Sequence, residues 1–192
     1  MPPKIKISKD EIFHVALNIV RECGHEAINA RDIAKKLNCS TQPIFSNYKN
    51  MEELKKEIVS YSVSLHNEYI KNEIEEKFYP DYKATGMAYI KFAKYEKELF
   101  KLLFMRDARK EYDKEDMNWQ DIVDLAQKHS GVNKTNSELF HLEMWLVVHG
   151  IATMQATSYM DFDESFVSDI LSDMYNGLKL RFSGGIDGSN KN

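Results

Sequence analysis

The sequence predicts an all-α fold of about nine helices, and three features of it do so. Apolar residues return every three or four positions through most of the chain, as in Ile12, Ala16, Ile19 and Cys23, or Leu54, Ile58, Tyr61, Leu65 and Tyr69. Pairs that cap helix starts stand ahead of such runs: Ser8 with Glu11, Asn50 with Glu53, Thr135 with Glu138. No strand pattern and no internal repeat is present.

In chain order, Met1 to Ile7 is short and basic, contains two prolines, and is expected to be a flexible arm. The first helix opens at Ser8 and ends at Gly24. Two short helices follow, the first capped by Asn29 with Asp32, the second from about Thr41 to Asn47. Between them Leu37, Asn38, Cys39 and Ser40 form a turn, with Asn38 suited to a left-handed backbone. A long helix starts at Met51, and its pattern runs towards Phe78 before Pro80 breaks it. Asp81–Tyr95 and Glu96–Met105 read as helices, Arg106–Asp116 as loop or frayed helix, and Met117–His129 as a helix ended by Ser130 and Gly131. A strongly apolar helix from Thr135 to about Tyr159 and a last one over Asp163–Phe182 complete the set. Ser183–Asn192, rich in Gly, Ser and Asn, is expected to be disordered.

The 192 residues carry a net charge of -4, unevenly placed. Residues 1–50 hold eight Lys and Arg against five Asp and Glu, while the remainder is acidic. A mildly basic head on an acidic body suits contact with nucleic acid through one end only. Cys23 and Cys39 are the only cysteines, and no Cys/His pair has zinc-finger spacing. The expected setting is cytoplasmic, with reduced thiols, and no apolar run is long enough to span a membrane.

A helix, a short turn and a second short helix make a helix-turn-helix, whose second helix can enter the DNA major groove. Thr41 and Gln42 lie at the start of that helix, where side chains reach base edges; Gln pairs with adenine and the Thr methyl meets the thymine methyl. Ser40, Ser46, Asn47, Tyr48 and Lys49 are suited to phosphate contacts, and Arg31 joins the DNA-binding set. Ile44 and Phe45 are expected to anchor the short helix on the core.

Three words within this stretch, Arg31-Asp32-Ile33-Ala34-Lys35-Lys36-Leu37, Ser40-Thr41-Gln42-Pro43-Ile44-Phe45 and Tyr48-Lys49-Asn50-Met51-Glu52-Glu53-Leu54, resemble the DNA-binding module of TetR/AcrR-type transcriptional regulators. The chain departs from the family pattern with Asn38 for glycine, Phe45 for a phosphate-touching tyrosine and Met51 for lysine; Lys49 is expected to supply the lost charge. Further on, Trp145-Leu146-Val147-Val148-His149-Gly150 is similar to a Trp-His-Gly word in the ligand-binding domain of one branch of that family. The resemblance implies a helix-turn-helix domain over residues 1–50 and a helical effector-binding and dimerisation domain over 51–182. It implies a homodimer on a pseudo-palindromic double-stranded operator, a repressor released by a small-molecule effector, and no cofactor. The helix from Met51 is the expected lever.

For the effector site, Leu142, Trp145 and His149 share one helix face, and Tyr89, Phe92, Phe100, Phe104 and Met105 are placed opposite. An aromatic stripe at helical spacing is equally the mark of a plain core, and a DNA-binding protein with a solid body is the alternative function. For the dimer, Gly150 with Val147 and Met154 lets another helix approach, together with Ile170, Leu171, Met174 and Leu178 of the last helix. Glu11 with His14 and Glu138 with His141 have the Glu-x-x-His spacing of di-iron bundles, which also need a glutamate from each of two further helices. The chain is therefore read as a binding protein and not as an enzyme.

Overall fold

A computed structural model describes residues 7–105 and 119–183; the arm before residue 7, the charged stretch at 106–116, the first two residues of the helix expected from Met117 and the tail from 184 lie outside the described residues. Among the described residues there are nine α-helices, one 3-10 turn and no strand, which is the predicted fold class. No helix among them is long and apolar enough to cross a membrane. The chain divides into two units, Met1–Leu65 with Glu96–Arg109, and His66–Tyr95 with Lys110–Asn192.

The first unit is built around α1 (Lys9–Cys23). Ser8 accepts the Glu11 backbone N–H through its hydroxyl, and the Glu11 carboxylate accepts the Ser8 N–H at 2.8 Å. Gly24 ends the helix with φ 83°, a conformation that a side chain would strain. Ile12, Ala16, Leu17, Ile19 and Val20 form the buried face of α1. It packs on α2 (Ala30–Lys36), α3 (Gln42–Asn47), α6 (Lys97–Phe104) and the 3-10 turn His25–Ala27. Arg21 clamps Glu96, at the start of α6, with two hydrogen bonds of 2.9 and 2.6 Å.

Helix α4 (Met51–Glu75) gives its residues up to Leu65 to this unit and those from His66 to the other. Asn50 accepts the Glu53 N–H at 3.0 Å, as the capping pair predicts, but the Glu53 carboxylate reaches back one residue further, to the Lys49 N–H at 2.6 Å. The helix stops before Phe78, at Glu75, because Lys77 turns left-handed at φ 55°.

In the second unit α5 (Asp81–Tyr95) is the central element, packed on α8 (Lys134–Ala156), α7 (Trp119–Ser130) and α9 (Glu164–Phe182). It buries residues on every side, from Tyr82 and Ala84 through Met87, Ala88 and Ile90 to Phe92. Gly86 allows the close approach, since a Cβ there would lie 3.3 Å from side-chain atoms of both Leu171 and Val148. Lys91 pairs with Glu73 at 2.9 Å and Glu164 at 3.0 Å. Helix α8 starts earlier than Thr135 and Glu138 imply. Its cap is Asn133, which accepts the Asn136 N–H at 3.0 Å, because Val132 is buried and its N–H is held by the Ser130 hydroxyl.

Candidate nucleic-acid interface and effector site

The α2–turn–α3 segment is fixed by local chemistry. Asn29 accepts the Asp32 N–H at 3.0 Å and donates from its amide to the Asp32 carboxylate at 2.6 Å and the Ala27 carbonyl at 3.2 Å. Asn38 adopts φ 52°, as the sequence predicts. The chain then turns back so that the Cys39 N–H donates to the Ala34 carbonyl at 2.9 Å. Pro43 sits in the first turn of α3, where no intrahelical N–H is needed.

Ile44 and Tyr48, four residues apart, seat α3 on the first unit. Tyr48 is 1% exposed and the Lys9 ammonium lies 4.8 Å from its ring, so its hydroxyl cannot meet a phosphate as the sequence had it. Phe45 takes the opposite course. Expected in the core, it is 52% exposed, because the helical period turns it off the face that Ile44 and Tyr48 share.

Ser46 and Asn47 spend side-chain donors on their own helix, to the Gln42 carbonyl at 2.9 Å and the Pro43 carbonyl at 2.8 Å. Ser40, Gln42 and Lys49 are exposed, Thr41 is half-buried, and Arg31 is exposed at the start of α2.

In the second unit the structure assembles two tyrosine–histidine rungs between α5 and α8. Tyr89 and His149 share a hydrogen bond of 3.0 Å from the phenol oxygen to Nδ1. Tyr82 and His141 repeat it at 3.0 Å. Trp145 stacks on His149, ring centres 4.8 Å apart and 17° from parallel. Trp119 lies 4.5 Å from His141 and 6.3 Å, edge to face, from Trp145. Burial lowers His149, pushes His141 down to about 4, and raises both tyrosines, so both rungs are uncharged at neutral pH.

Sequence reasoning had Tyr89, Trp145 and His149, and missed Tyr82, His141 and Trp119. The spacing of His141, Trp145 and His149, four residues apart on one face, was the available signal. His141 is drawn into its rung away from the exposed Glu138, and Glu11 is spent in the α1 cap, so neither Glu-x-x-His pair is arranged as one.

Phe92 is fully buried in the same unit, 5.2 Å from the His66 ring. Phe100 and Phe104 belong to the first unit, their rings 5.0 Å apart, and Met105 is exposed at the end of α6. Leu142 is exposed on the outer side of α8.

That outer side carries a stripe of Leu139, Leu142, Leu146, Gly150 and Met154, of which Leu146 is the most exposed at 57%. A Cβ added at Gly150 would meet nothing within 4 Å. On α9, Met174 and Phe166 are exposed and Ile170 and Leu178 half-buried; Val147 on α8 is half-buried too. Leu171, grouped with them by the sequence, is 2% exposed and packs inside its own unit near Gly86. Leu139, Leu146 and Phe166 were not singled out in the sequence.

No protein-family model matches the chain, and no curated protein matches it. Solved structures do. A TetR-like transcriptional regulator from Rhodococcus sp. RHA1 superposes with a TM-score of 0.67 over 97% of this chain and 100% of that one, at 13% identity. A TetR family protein from Vibrio parahaemolyticus gives a TM-score of 0.64 over 88% and 96% of the two chains, at 11% identity. With a helix-turn-helix followed by a helical body and two superpositions of nearly full length, the chain has the fold of the TetR-like transcriptional regulators.

Proposed function

We propose that this chain is a DNA-binding transcriptional regulator, a repressor that acts as a homodimer in the cytoplasm and leaves its operator when a small molecule binds. The observation that carries the reading is the outer surface of α3. Ile44 and Tyr48 are spent on packing, while Gln42 and Phe45 project on a short helix that follows the left-handed turn at Asn38, and Lys49 is exposed just beyond its end. Arg31 and Lys49 lie exposed for phosphate contact, with Ser40 and Thr41 beside Gln42. A two-fold dimer then presents two such helices to a pseudo-palindromic site. The test is selection of bound duplexes from a random pool, followed by titration of the selected site. Gln42→Ala should weaken that site by roughly 1–3 kcal/mol and leave binding to random DNA nearly unchanged. Equal losses on both would count against a base contact.

The effector would bind in the second unit beside Trp145 and the Tyr89–His149 rung, with Phe92 behind it. The groups there are neutral, so a neutral or weakly polar ligand fits and a charged one does not. It would act by preferring the form whose DNA-reading helices are wrongly spaced. One observation favours the rival reading of a solid body without ligand: both histidines already have their tyrosine partners. A protein with Trp145 as its sole tryptophan distinguishes the two, because only a ligand seated beside that ring shifts its emission.

A further inference from the structure

The middle of α3 carries a large apolar side chain that the fold leaves half exposed. Phe45 is 52% exposed, while Ile44 before it is fully buried. The polar side chains that follow it on α3, Ser46 and Asn47, already donate to carbonyls of their own helix. Gln42, three residues earlier, is exposed and shares the Phe45 face. A phenyl ring has no hydrogen bond to offer a phosphate. The base edges of the major groove present one apolar group, the C5-methyl of thymine.

We propose that Phe45 is a specificity-determining residue that packs its ring on a thymine methyl, one base pair or so from an adenine bonded by Gln42; this rests on the DNA-binding reading above. The spacing fits. Three residues advance about 4.5 Å along a helix, and successive nucleotides of a strand are about 3.4 Å apart. The preferred half-site therefore contains neighbouring A·T pairs read by two side chains of different chemistry, a bidentate amide and an apolar plate.

The test uses the full chain and the duplex it selects from a random pool. Each thymine of the half-site is replaced in turn by deoxyuridine, which lacks only the methyl. At one position the wild type should lose about four-fold in affinity per half-site, the factor that burying one carbon carries. Phe45→Ala should bind the thymine and uracil forms equally, and Gln42→Ala should keep the wild-type difference. Because Phe45 is exposed, the variant should retain its helix content by circular dichroism, and the uracil scan of the wild type is decisive without any variant. A wild type indifferent to uracil at every position overturns the inference, as does a Phe45→Ala protein that still discriminates. Either result leaves DNA binding itself standing. A chain that enriches no sequence at all overturns the DNA-binding reading and the inference with it.

Discussion

Gly150 allows the proposed dimer face to be tested separately from the fold. It lies mid-helix in α8, and a Cβ placed on it meets nothing within 4 Å in its own chain. A glycine inside a helix costs about 0.8–1 kcal/mol relative to alanine. Replacing it should therefore stabilise the single subunit. Gly86 is the internal contrast: its Cβ would sit 3.3 Å from both Leu171 Cδ1 and Val148 Cγ2, so Gly86→Ala trades the same gain against crowding.

In the dimer the sign reverses at Gly150. Overpacking a close contact costs roughly 1–3 kcal/mol, and a two-fold axis imposes it twice, so about 2–6 kcal/mol opposes association of Gly150→Leu. That range weakens the dimer between about 30-fold and about 10⁴-fold. Sedimentation velocity across micromolar concentrations reads the association. Urea unfolding reads the subunit, with Leu146→Glu as a second monomer-forming variant on the same stripe that keeps the glycine. Gly150→Leu should be dissociated and still more stable than Leu146→Glu by about 0.5–1 kcal/mol. A Gly150→Leu protein that dimerises like wild type refutes the interface. One less stable than Leu146→Glu refutes the open surface over Gly150.

Three further outcomes are expected. His66 and His141 are buried and held down to about 4, so the unfolded chain takes up protons that the folded chain refuses. Stability should then fall as pH drops below about 6.5, by on the order of 1–3 kcal/mol per histidine by pH 4. Carboxylates such as Glu11 and Asp163, lowered by hydrogen bonds, titrate beneath the upper part of that window. The urea midpoint from pH 7 to 5 reads the effect, and a flat profile would refute it; His141→Asn should shallow the slope. Asn29→Ala should destabilise by about 1 kcal/mol in urea through loss of the α2 cap, and an unchanged midpoint would show the cap to be idle. In Trp119→Phe the emission of Trp145, stacked on His149, should shift when a neutral aromatic effector binds; a confirmed effector that leaves it unmoved would favour the solid core.

The parts of the fold that were legible in the sequence are those decided within a few residues. The Ser8–Glu11 box, the Asn29 cap, the Gly24 stop and the left-handed Asn38 need no distant partner, and all four stand where the sequence places them. The start of α8 was misread because Asn133, Thr135 and Asn136 are all polar, and the choice between them depends on Val132 being buried. In α3 chemistry was weighed above spacing. Tyr48 has a hydroxyl and was sent outward, and Phe45 was sent inward, although Ile44 and Tyr48 stand at i and i+4 and Phe45 does not share their face. The period alone would have assigned both correctly.

Helix α8 resisted for a different reason. It is apolar on more than one side, so spacing cannot tell the residues packed on α5 from those left outside: Phe140, Met144 and Val148 go in, Leu139, Leu142 and Leu146 stay out. What decides is the partner, and the partner lies about sixty residues away in sequence, beyond any local signal. Yet one contact would have been enough. Tyr82 and Tyr89 stand seven residues apart on α5, and His141 and His149 eight apart on α8, spans of about 10.5 and 12 Å along their helices. Once Tyr89 is set against His149, two helices running side by side in the same direction bring Tyr82 to His141. The second rung is a consequence of the first. Tyr82 and His141, missed in the sequence, therefore follow from a single pairing of α5 with α8, whereas Trp119 comes from α7 and needs a second pairing.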